Sequence, residues 1–261
     1  MLRYVLASFR SVAVSMLLLS GCGGGGNGMQ GERSPQARMP LVAVSFREMP
    51  SSADVPWALR RGRGDLSAAV LVNGEQDPGG WMDILMEARS SGLLVALFSD
   101  RVPGMVMGPD DILIWTDSMD RVHAEPPELA SQLPSTMALD SAKYHGLVLE
   151  LCEMYKPDIV VIDIAPGNEG LLLSIAARWT SPEVLSSYRV VLFSAAGGSG
   201  RRGWCAMAGS GINGNVPPGV TVSGLFSTVR ILAGMDWVSR LPGSVPALAV
   251  LEDPSAIWDS R

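Results

Sequence analysis

Residues 188–203 read YRVVLFSAAGGSGRRG, and this stretch decides the class of fold. It contains the continuous apolar run Val190, Val191, Leu192 and Phe193, followed at once by small residues. Such a run is typical of a parallel strand that is covered on both faces. In an open α/β sheet, ligands bind in the loop that leaves the carboxyl end of such a strand. We therefore expect the binding loop at 194–200, although its only reactive groups are serine hydroxyls.

Other parts of the chain alternate between strand and helix patterns. Short apolar runs occur at 41–46, 68–72, 93–98, 111–115 and 158–164. Apolar residues at helical spacing, or capping signals, occur at 81–91, 140–155, 171–179, 182–187 and 225–233. This alternation predicts an α/β domain built from βαβ units. We expect irregular loops at 116–138, which prolines interrupt, and at 204–219.

The first residues have the pattern of a targeting segment rather than of folded structure. Arg3 and Arg10 supply positive charge, and 12–19 is an apolar core too short to span a bilayer as a mature helix. The sequence LSGC that ends at Cys22 resembles a bacterial lipobox, which predicts that this cysteine is lipidated. The alternatives are an ordinary signal peptide over 1–22, or a short anchor helix with an incidental cysteine.

A tether and one domain follow the targeting segment. Residues 23–40 include four consecutive glycines and almost no large apolar side chain, which predicts a flexible tether. The remaining residues, 41–261, are enough for a single domain with a substantial core. A lipidated cysteine would place this domain in the bacterial cell envelope, anchored to the membrane and facing the periplasm or the exterior.

Charge and cysteine content narrow the possible partners. The formal net charge is −6, and an acidic surface argues against a nucleic-acid partner. Beyond Cys22 only Cys152 and Cys205 remain, so one disulfide is possible, although a buried thiol is the simpler expectation for Cys152. Without an adjacent histidine, these two cysteines make a poor metal site.

Few residues could carry chemistry. Asp163 ends a buried strand and Glu169 lies in the loop that follows, where two carboxylates could bind a cation or act in acid/base chemistry. His123 falls in an expected loop with no evident partner. His145 lies off the apolar stripe of its helix, so we expect it to face solvent.

Four segments of the chain, taken together, carry a family resemblance. These are WMDILMEARSSGLLVA at 81–96, KPDIVVID at 156–163, RVVLFSAAGG at 189–198 and PGVTVSGLFSTVRILAGM at 218–235. In this order they resemble the alkaline phosphatase superfamily, especially its phosphodiesterase and nucleotide pyrophosphatase branch, over residues 41–248. The resemblance implies a three-layer αβα sandwich with a mostly parallel central sheet. It also implies hydrolysis of phosphate or sulfate esters at two divalent metals, commonly zinc.

Carried over position by position, the metal ligands of that family are missing. Its first-strand aspartate falls near Ser45, and its paired aspartate and histidine fall at Asn168 and Leu172. A second Asp-His pair falls at Ala195 and Ala196, and no histidine follows His145. Alkyl side chains cannot ligate zinc. The departures predict a scaffold without the two-metal centre, and therefore without a cofactor.

Three functions remain open. The leading hypothesis is a lipid-anchored, non-catalytic binding or structural protein. The alternative is a phosphoester or sulfoester hydrolase with a rebuilt site, using Ser194, Ser199 or Ser210, and in that case two divalent metals could be bound. The third is a receptor for a small anion held by Arg201 and Arg202. The catalytic residues and the oligomeric state are left open. The candidate binding loop comprises Asp163, Asn168, Glu169, Ser194, Ala195, Ala196, Ser199 and Arg201.

Overall fold

The structure is a computed structural model, and only part of the chain is described. The described residues are 39–47, 67–70, 80–104, 108–137, 142–165, 168–194, 203–210, 212 and 221–235. All of them belong to the compact unit Pro35–Arg261. Cys22 and the segments 1–22 and 23–38 lie outside the described residues.

Strands and helices alternate along the described chain. The strands are β1 (Leu41–Phe46), β2 (Ser67–Val70), β3 (Val95–Ser99), β4 (Ile112–Thr116), β5 (Val122–Glu125), β6 (Ile159–Ile164), β7 (Arg189–Ser194) and β8 (Trp204–Ala208). The helices are α1 (Gly80–Ser90), α2 (Pro127–Ala130), α3 (Ala142–Tyr155), α4 (Glu169–Trp179), α5 (Pro182–Leu185) and α6 (Val222–Leu232). The α/β class is therefore confirmed.

The strands form one mixed sheet of eight strands in the order β2-β8-β7-β1-β6-β3-β4-β5. Neighbouring strands from β7 to β4 pair in parallel. The three outer pairings, β7 with β8, β8 with β2 and β4 with β5, are antiparallel. Since the central strands run the same way, β1, β3 and β6 all end at one edge, which we call the carboxyl edge. Their continuous apolar sequences fit burial on both faces.

Two separate apolar clusters cover the two faces of the sheet. On one face, α3 and α4 pack against the strands through Val148 and Ile175, and Trp179 is fully buried there. On the other face, α1 and α6 pack against the alternate strand positions through Leu85 and Val229. The period of two along each strand sends successive side chains into opposite clusters, so a polar residue in a strand can be assigned to one face.

Two sequence expectations about loops are wrong. The stretch 116–138 contains β5 and α2, and 204–219 contains β8. Each of these strands is stabilised by antiparallel pairing with the strand before it in the chain, β5 with β4 and β8 with β7. Helix α6 begins at Val222, three residues before the helical pattern at 225–233, because Thr221 caps it. Within the described residues, no helix is both long and apolar enough to cross a membrane.

Candidate functional site

A row of residues in register crosses the sheet near the carboxyl edge. Its members, from β8 to β5, are Cys205, Phe193, Ser45, Asp163, Ser99, Trp115 and His123. The centre of the row is polar, because Asp163 lies between Ser45 and Ser99 on the neighbouring strands. Both serines are buried. The polar centre coincides with the edge where ligands bind in open α/β sheets.

One arginine connects two aspartates at this edge. Arg47, the residue after β1, pairs through Nη2 with Oδ1 of Asp100. Its Nε lies 2.9 Å from Oδ2 of Asp163. The side chains of Arg47, Asp100 and Asp163 are only 19%, 22% and 14% exposed. The guanidinium therefore compensates two carboxylates that water solvates poorly.

Backbone hydrogen bonds hold the same groups in place. The Arg47 N–H donates to the carbonyl of Ile164 at 2.8 Å, and the Asp100 N–H donates to the carbonyl of Asp163 at 3.3 Å. The Ala165 N–H donates to Oδ2 of Asp100 at 2.6 Å. The ends of β1, β3 and β6 are thus joined by charge and by main-chain bonds together.

A second arginine flanks this cluster on the solvent side. Nη2 of Arg101 lies 3.3 Å from Oδ2 of Asp163, and 62% of the Arg101 side chain is exposed. Its backbone N–H donates to Oγ of Ser99 at 3.3 Å. We call Arg47, Asp100, Arg101 and Asp163 the edge cluster. Of its members only Asp163 was a sequence candidate; the other three could have been found because they directly follow strands β1 and β3.

The structure separates the other sequence candidates. Asn168 caps α4, its Oδ1 accepting a hydrogen bond from the Leu171 N–H at 2.9 Å. Glu169 is exposed in the first turn of α4, and Leu172 is fully buried in the core. The described geometry assigns Asn168 a local structural role.

The serine candidates and the binding loop are only partly described. Ser194 ends β7 and is buried. Ser210 is exposed, and its carbonyl accepts a hydrogen bond from Nε of Arg189 at 3.1 Å. The remaining candidates of the binding loop lie outside the described residues: Ala195, Ala196, Ser199, Arg201 and Arg202.

His123 belongs to a strand and has partners, contrary to the sequence expectation. It lies on β5, and its ring stacks on Trp115 of β4 with centroids 5.3 Å apart. Its Nε2 is 3.3 Å from Oδ2 of Asp117. Partial burial alone would raise the pKa of Asp117, but hydrogen bonds from the N–H of Met119 and from Arg121 hold that pKa well below its usual value. This hairpin is a polar, structured corner at the end of β4.

His145 does not face solvent, which corrects another expectation. Only 2% of the residue is exposed, and its Nδ1 accepts a hydrogen bond from Nε1 of Trp179 at 2.9 Å. Burial, with a contribution from Arg178, lowers the pKa of His145 to about 4. The residue is therefore neutral at pH 7. His145 is buried despite its position off the apolar stripe, because α4 covers that side of α3.

The two described cysteines do not form a disulfide with each other. Cys152 is a buried thiol on the face covered by α3 and α4, whereas Cys205 is a buried thiol on the opposite face. The sheet lies between them. Burial, followed by the nearby Glu153, raises the pKa of Cys152 to about 12, so this thiol is unreactive in the folded protein.

The donor groups at the carboxyl edge do not suit the two-metal centre that the family resemblance implies. No three or more His, Cys, Asp or Glu side chains gather into a cation site anywhere in the described part of the chain. Asp100 and Asp163 are both paired with Arg47. Ser45, Asn168 and Leu172, the positions at which the resemblance would place ligands, offer no set of zinc ligands.

Comparison with known proteins gives information on the fold and not on the site. No protein-family model and no curated protein sequence matches the chain. Among solved structures, the chain is similar to Ps i-CgsB, crystallised in complex with k-i-k-neocarrahexaose. The TM-score is 0.52 and the identity 10%, over 83% of this chain and 77% of that one. At this identity the similarity supports a shared α/β architecture and does not transfer a site.

Proposed function

We propose that the protein is a lipid-anchored domain of the bacterial cell envelope, with an alkaline-phosphatase-like fold, that binds a ligand or has a structural role without two-metal hydrolysis. Three features support the fold. Helices pack on both faces of the sheet, as a three-layer αβα sandwich requires. Neighbouring strands from β7 to β4 are parallel, as expected for a mostly parallel centre. The overall path resembles that of Ps i-CgsB.

The observation that carries the proposal is the pairing of Arg47 with both Asp100 and Asp163. A two-metal hydrolase needs electron-pair donors at the carboxyl edge that can ligate cations. Here both carboxylates are paired with a protein cation, and its charge would repel a divalent ion placed beside it. The edge is therefore suited to a structural or binding role rather than to generating a metal-bound nucleophile.

The experiment is an assay of the purified full chain, with and without added zinc, on nitrophenyl phosphate, a nitrophenyl diester and nitrophenyl sulfate. The proposal predicts no turnover above a matched blank under any of these conditions. Zinc-dependent turnover that survives repeated purification and disappears in Asp163→Asn would refute it. A folded Glu150→Gln variant, changed at an exposed site on α3, controls for carried-over phosphatase.

The ligand class that we propose is a small anion or an anionic group on a larger molecule. Arg101 is the mostly exposed member of the edge cluster, and Arg201 and Arg202 follow strand β7 in the sequence. Guanidinium groups recognise sulfate and phosphate through bidentate hydrogen bonds. Titration calorimetry against sulfate, phosphate and neocarrahexaose tests this. We expect heat that Arg101→Gln weakens; no heat from any of them would remove the anion from the proposal.

A hydrolase with a rebuilt site is the second candidate. It is favoured by the fold similarity to a protein crystallised with an oligosaccharide, and by the location of Ser194 at the carboxyl end of β7. Ser194 is buried in the described structure, so a substrate would have to reach a shielded hydroxyl. Metal-independent turnover that is abolished by Ser194→Ala, with the melting temperature unchanged, would replace the first proposal with this one.

The lipid anchor is proposed from the sequence LSGC at its expected place after an apolar core. Metabolic labelling with a fatty acid tests it directly. We expect label in the wild-type chain and none in Cys22→Ser, which should also leave the membrane fraction. Labelling of Cys22→Ser would point to a different anchor, and absence of label from the wild type would favour an ordinary signal peptide.

A further inference from the structure

Three large apolar side chains are exposed at the edge where the central strands begin, which we call the amino edge. Leu94 directly precedes β3, and Met154 and Tyr155 are the last two residues of α3, which ends shortly before β6. Each of the three is more than a third exposed. We call Leu94, Met154 and Tyr155 the amino-edge patch. Single exposed apolar residues are common, so the patch gains its meaning from its place in the fold.

Hydrogen bonds place the patch beside the point where the chain enters the domain. The carbonyl of Leu94 accepts from the Asp158 N–H at 2.9 Å, and the Leu94 N–H donates to Oδ2 of Asp158 at 2.9 Å. The carbonyl of Asp158 in turn accepts from the N–H of Leu41, the first residue of β1, at 3.0 Å. One residue therefore bonds both to the patch and to the strand that follows the predicted tether at 23–40.

The length of that tether limits which edge lies near an anchor at Cys22. The sequence predicts a flexible chain at 23–40, and a flexible chain of that length has a root-mean-square extent of about 23 Å. Since a strand of six residues is about 20 Å long, the carboxyl edge lies about 20 Å beyond the amino edge along β1. An anchored domain therefore presents the amino edge to the membrane more readily than the carboxyl edge.

We propose that the amino-edge patch contacts the lipid surface to which Cys22 is anchored, and that the edge cluster points away from the membrane. This inference rests on the lipid anchor of the proposed function. The side chains suit a membrane interface, because leucine and methionine enter the apolar layer while tyrosine lies at the headgroups. The exposed Lys156, next to Tyr155, can extend its ammonium group toward the water. A ligand of Arg101 would then approach from the aqueous side.

The attraction to the membrane is apolar rather than electrostatic. Glu153, next to Met154 in α3, is exposed, and the formal net charge of the chain is −6. Neither favours anionic lipids. A weak apolar contact is enough here, because a tether raises the effective concentration of the second contact to the order of millimolar. Added salt should therefore not release the patch, since salt weakens only the interactions between charges.

The test places the same environment-sensitive fluorophore at two matched positions of the full chain. Met154→Cys puts it in the amino-edge patch, and Met119→Cys puts it in the turn after β4 at the carboxyl edge, where Met119 is exposed. Since Cys152 and Cys205 are buried, thiol labelling selects the introduced cysteine. Each lipidated protein is reconstituted in phosphatidylcholine vesicles that contain a nitroxide-labelled lipid. We expect quenching several-fold stronger for Met154→Cys than for Met119→Cys, in low and in high salt.

Removing the patch distinguishes a docking surface from simple tethering. The double variant Leu94→Gln with Tyr155→Gln replaces two exposed apolar side chains by polar ones. We expect quenching of the Met154→Cys label to fall to the level of the Met119→Cys label, with the melting temperature unchanged. If the double variant does not fold, Tyr155→Gln alone, at the exposed end of α3, serves in the same comparison. Undiminished quenching in a folded patch variant overturns the proposal.

The outcomes separate this inference from the proposed function. Equal or reversed quenching at the two positions of a fatty-acylated chain refutes the orientation and leaves the lipid anchor in place. A Met154→Cys label that is protected from aqueous iodide but not quenched by lipid indicates a protein contact, which also overturns the inference. A chain that carries no fatty acid refutes the anchor, and the inference with it.

Discussion

Trp179 donates its indole N–H to Nδ1 of His145, and the two nitrogens are 2.9 Å apart. The bond joins α4 to α3 on the same face of the sheet. It requires Nδ1 to be unprotonated, so it can form only with the neutral imidazole. Burial also favours the neutral imidazole, since a charged ring would be poorly solvated there.

The pH dependence of stability follows from this pair. The pKa of His145 is about 4 in the folded protein and 6.5 in its ordinary state. As the pH falls, the unfolded chain therefore binds a proton at a higher pH than the folded protein does. The contribution of His145 to folding stability is complete above pH 6.5 and is lost as the pH falls toward 4. We expect the free energy of unfolding to fall by about 3 kcal/mol from this source, measured by urea titration at several pH values.

A matched pair of variants isolates that effect, because the chain has only two histidines. His145→Asn keeps an acceptor near the position of Nδ1 but does not titrate, so its stability should change less between pH 7 and 4. His145→Gln, which cannot titrate either, should show the same reduced dependence. Identical profiles for wild type and His145→Asn would show that His145 is not the titrating group.

Asp163→Asn tests the edge cluster as a source of stability. The variant removes the charge that pairs with Nε of Arg47 and with Arg101, in a position only 14% exposed. Hydrogen bonds to charged groups contribute about 1.5–3 kcal/mol, so we expect a loss in that range in denaturant unfolding at pH 7. The exposed change Glu150→Gln should stay within about 0.5 kcal/mol of wild type. Equal stability of Asp163→Asn and wild type would contradict the structure of the edge.

Asn168 provides a test of whether a sequence candidate is a ligand or a helix cap. Since its side chain accepts from the Leu171 N–H, Asn168→Ala should lower the free energy of unfolding by about 1 kcal/mol. Asn168→Asp keeps the acceptor and should be nearly as stable as wild type. If both variants were equally destabilised in urea, the capping role would be wrong.

The cysteines give a covalent test of the topology. Cys152 and Cys205 lie on opposite faces of the sheet, so both should remain thiols even in protein prepared without reductant. We expect two alkylated cysteines, beyond position 22, after denaturation and labelling without reduction, and slow labelling of Cys152 in the folded state. A mass that shows neither thiol free to react would indicate a disulfide and a different fold.

Most central elements were predictable from sequence for a simple physical reason. β1, β6 and β7 are buried on both faces, so their sequences are continuously apolar and differ from their surroundings. α1 ends where expected, because Gly92 adopts a positive φ of 76° that favours glycine.

The elements that were missed depend on partners that local pattern does not reveal. β5 has the sequence VHAE and is stabilised by its register with β4 rather than by its own strand propensity. His145 is covered by Trp179, which lies more than thirty positions away in sequence. The pairing of Arg47 with Asp100 requires the strand order β1-β6-β3, which a single sequence does not specify.

Metal content is the most direct test of the central claim that a protein cation replaces metal ions at the carboxyl edge. The full chain would be incubated with excess zinc, dialysed against metal-free buffer and analysed by mass spectrometry for bound metal. The account predicts that no zinc remains in stoichiometric amount and that Asp163→Asn behaves the same way. Two zinc ions retained per wild-type chain, and lost in Asp163→Asn, would contradict it.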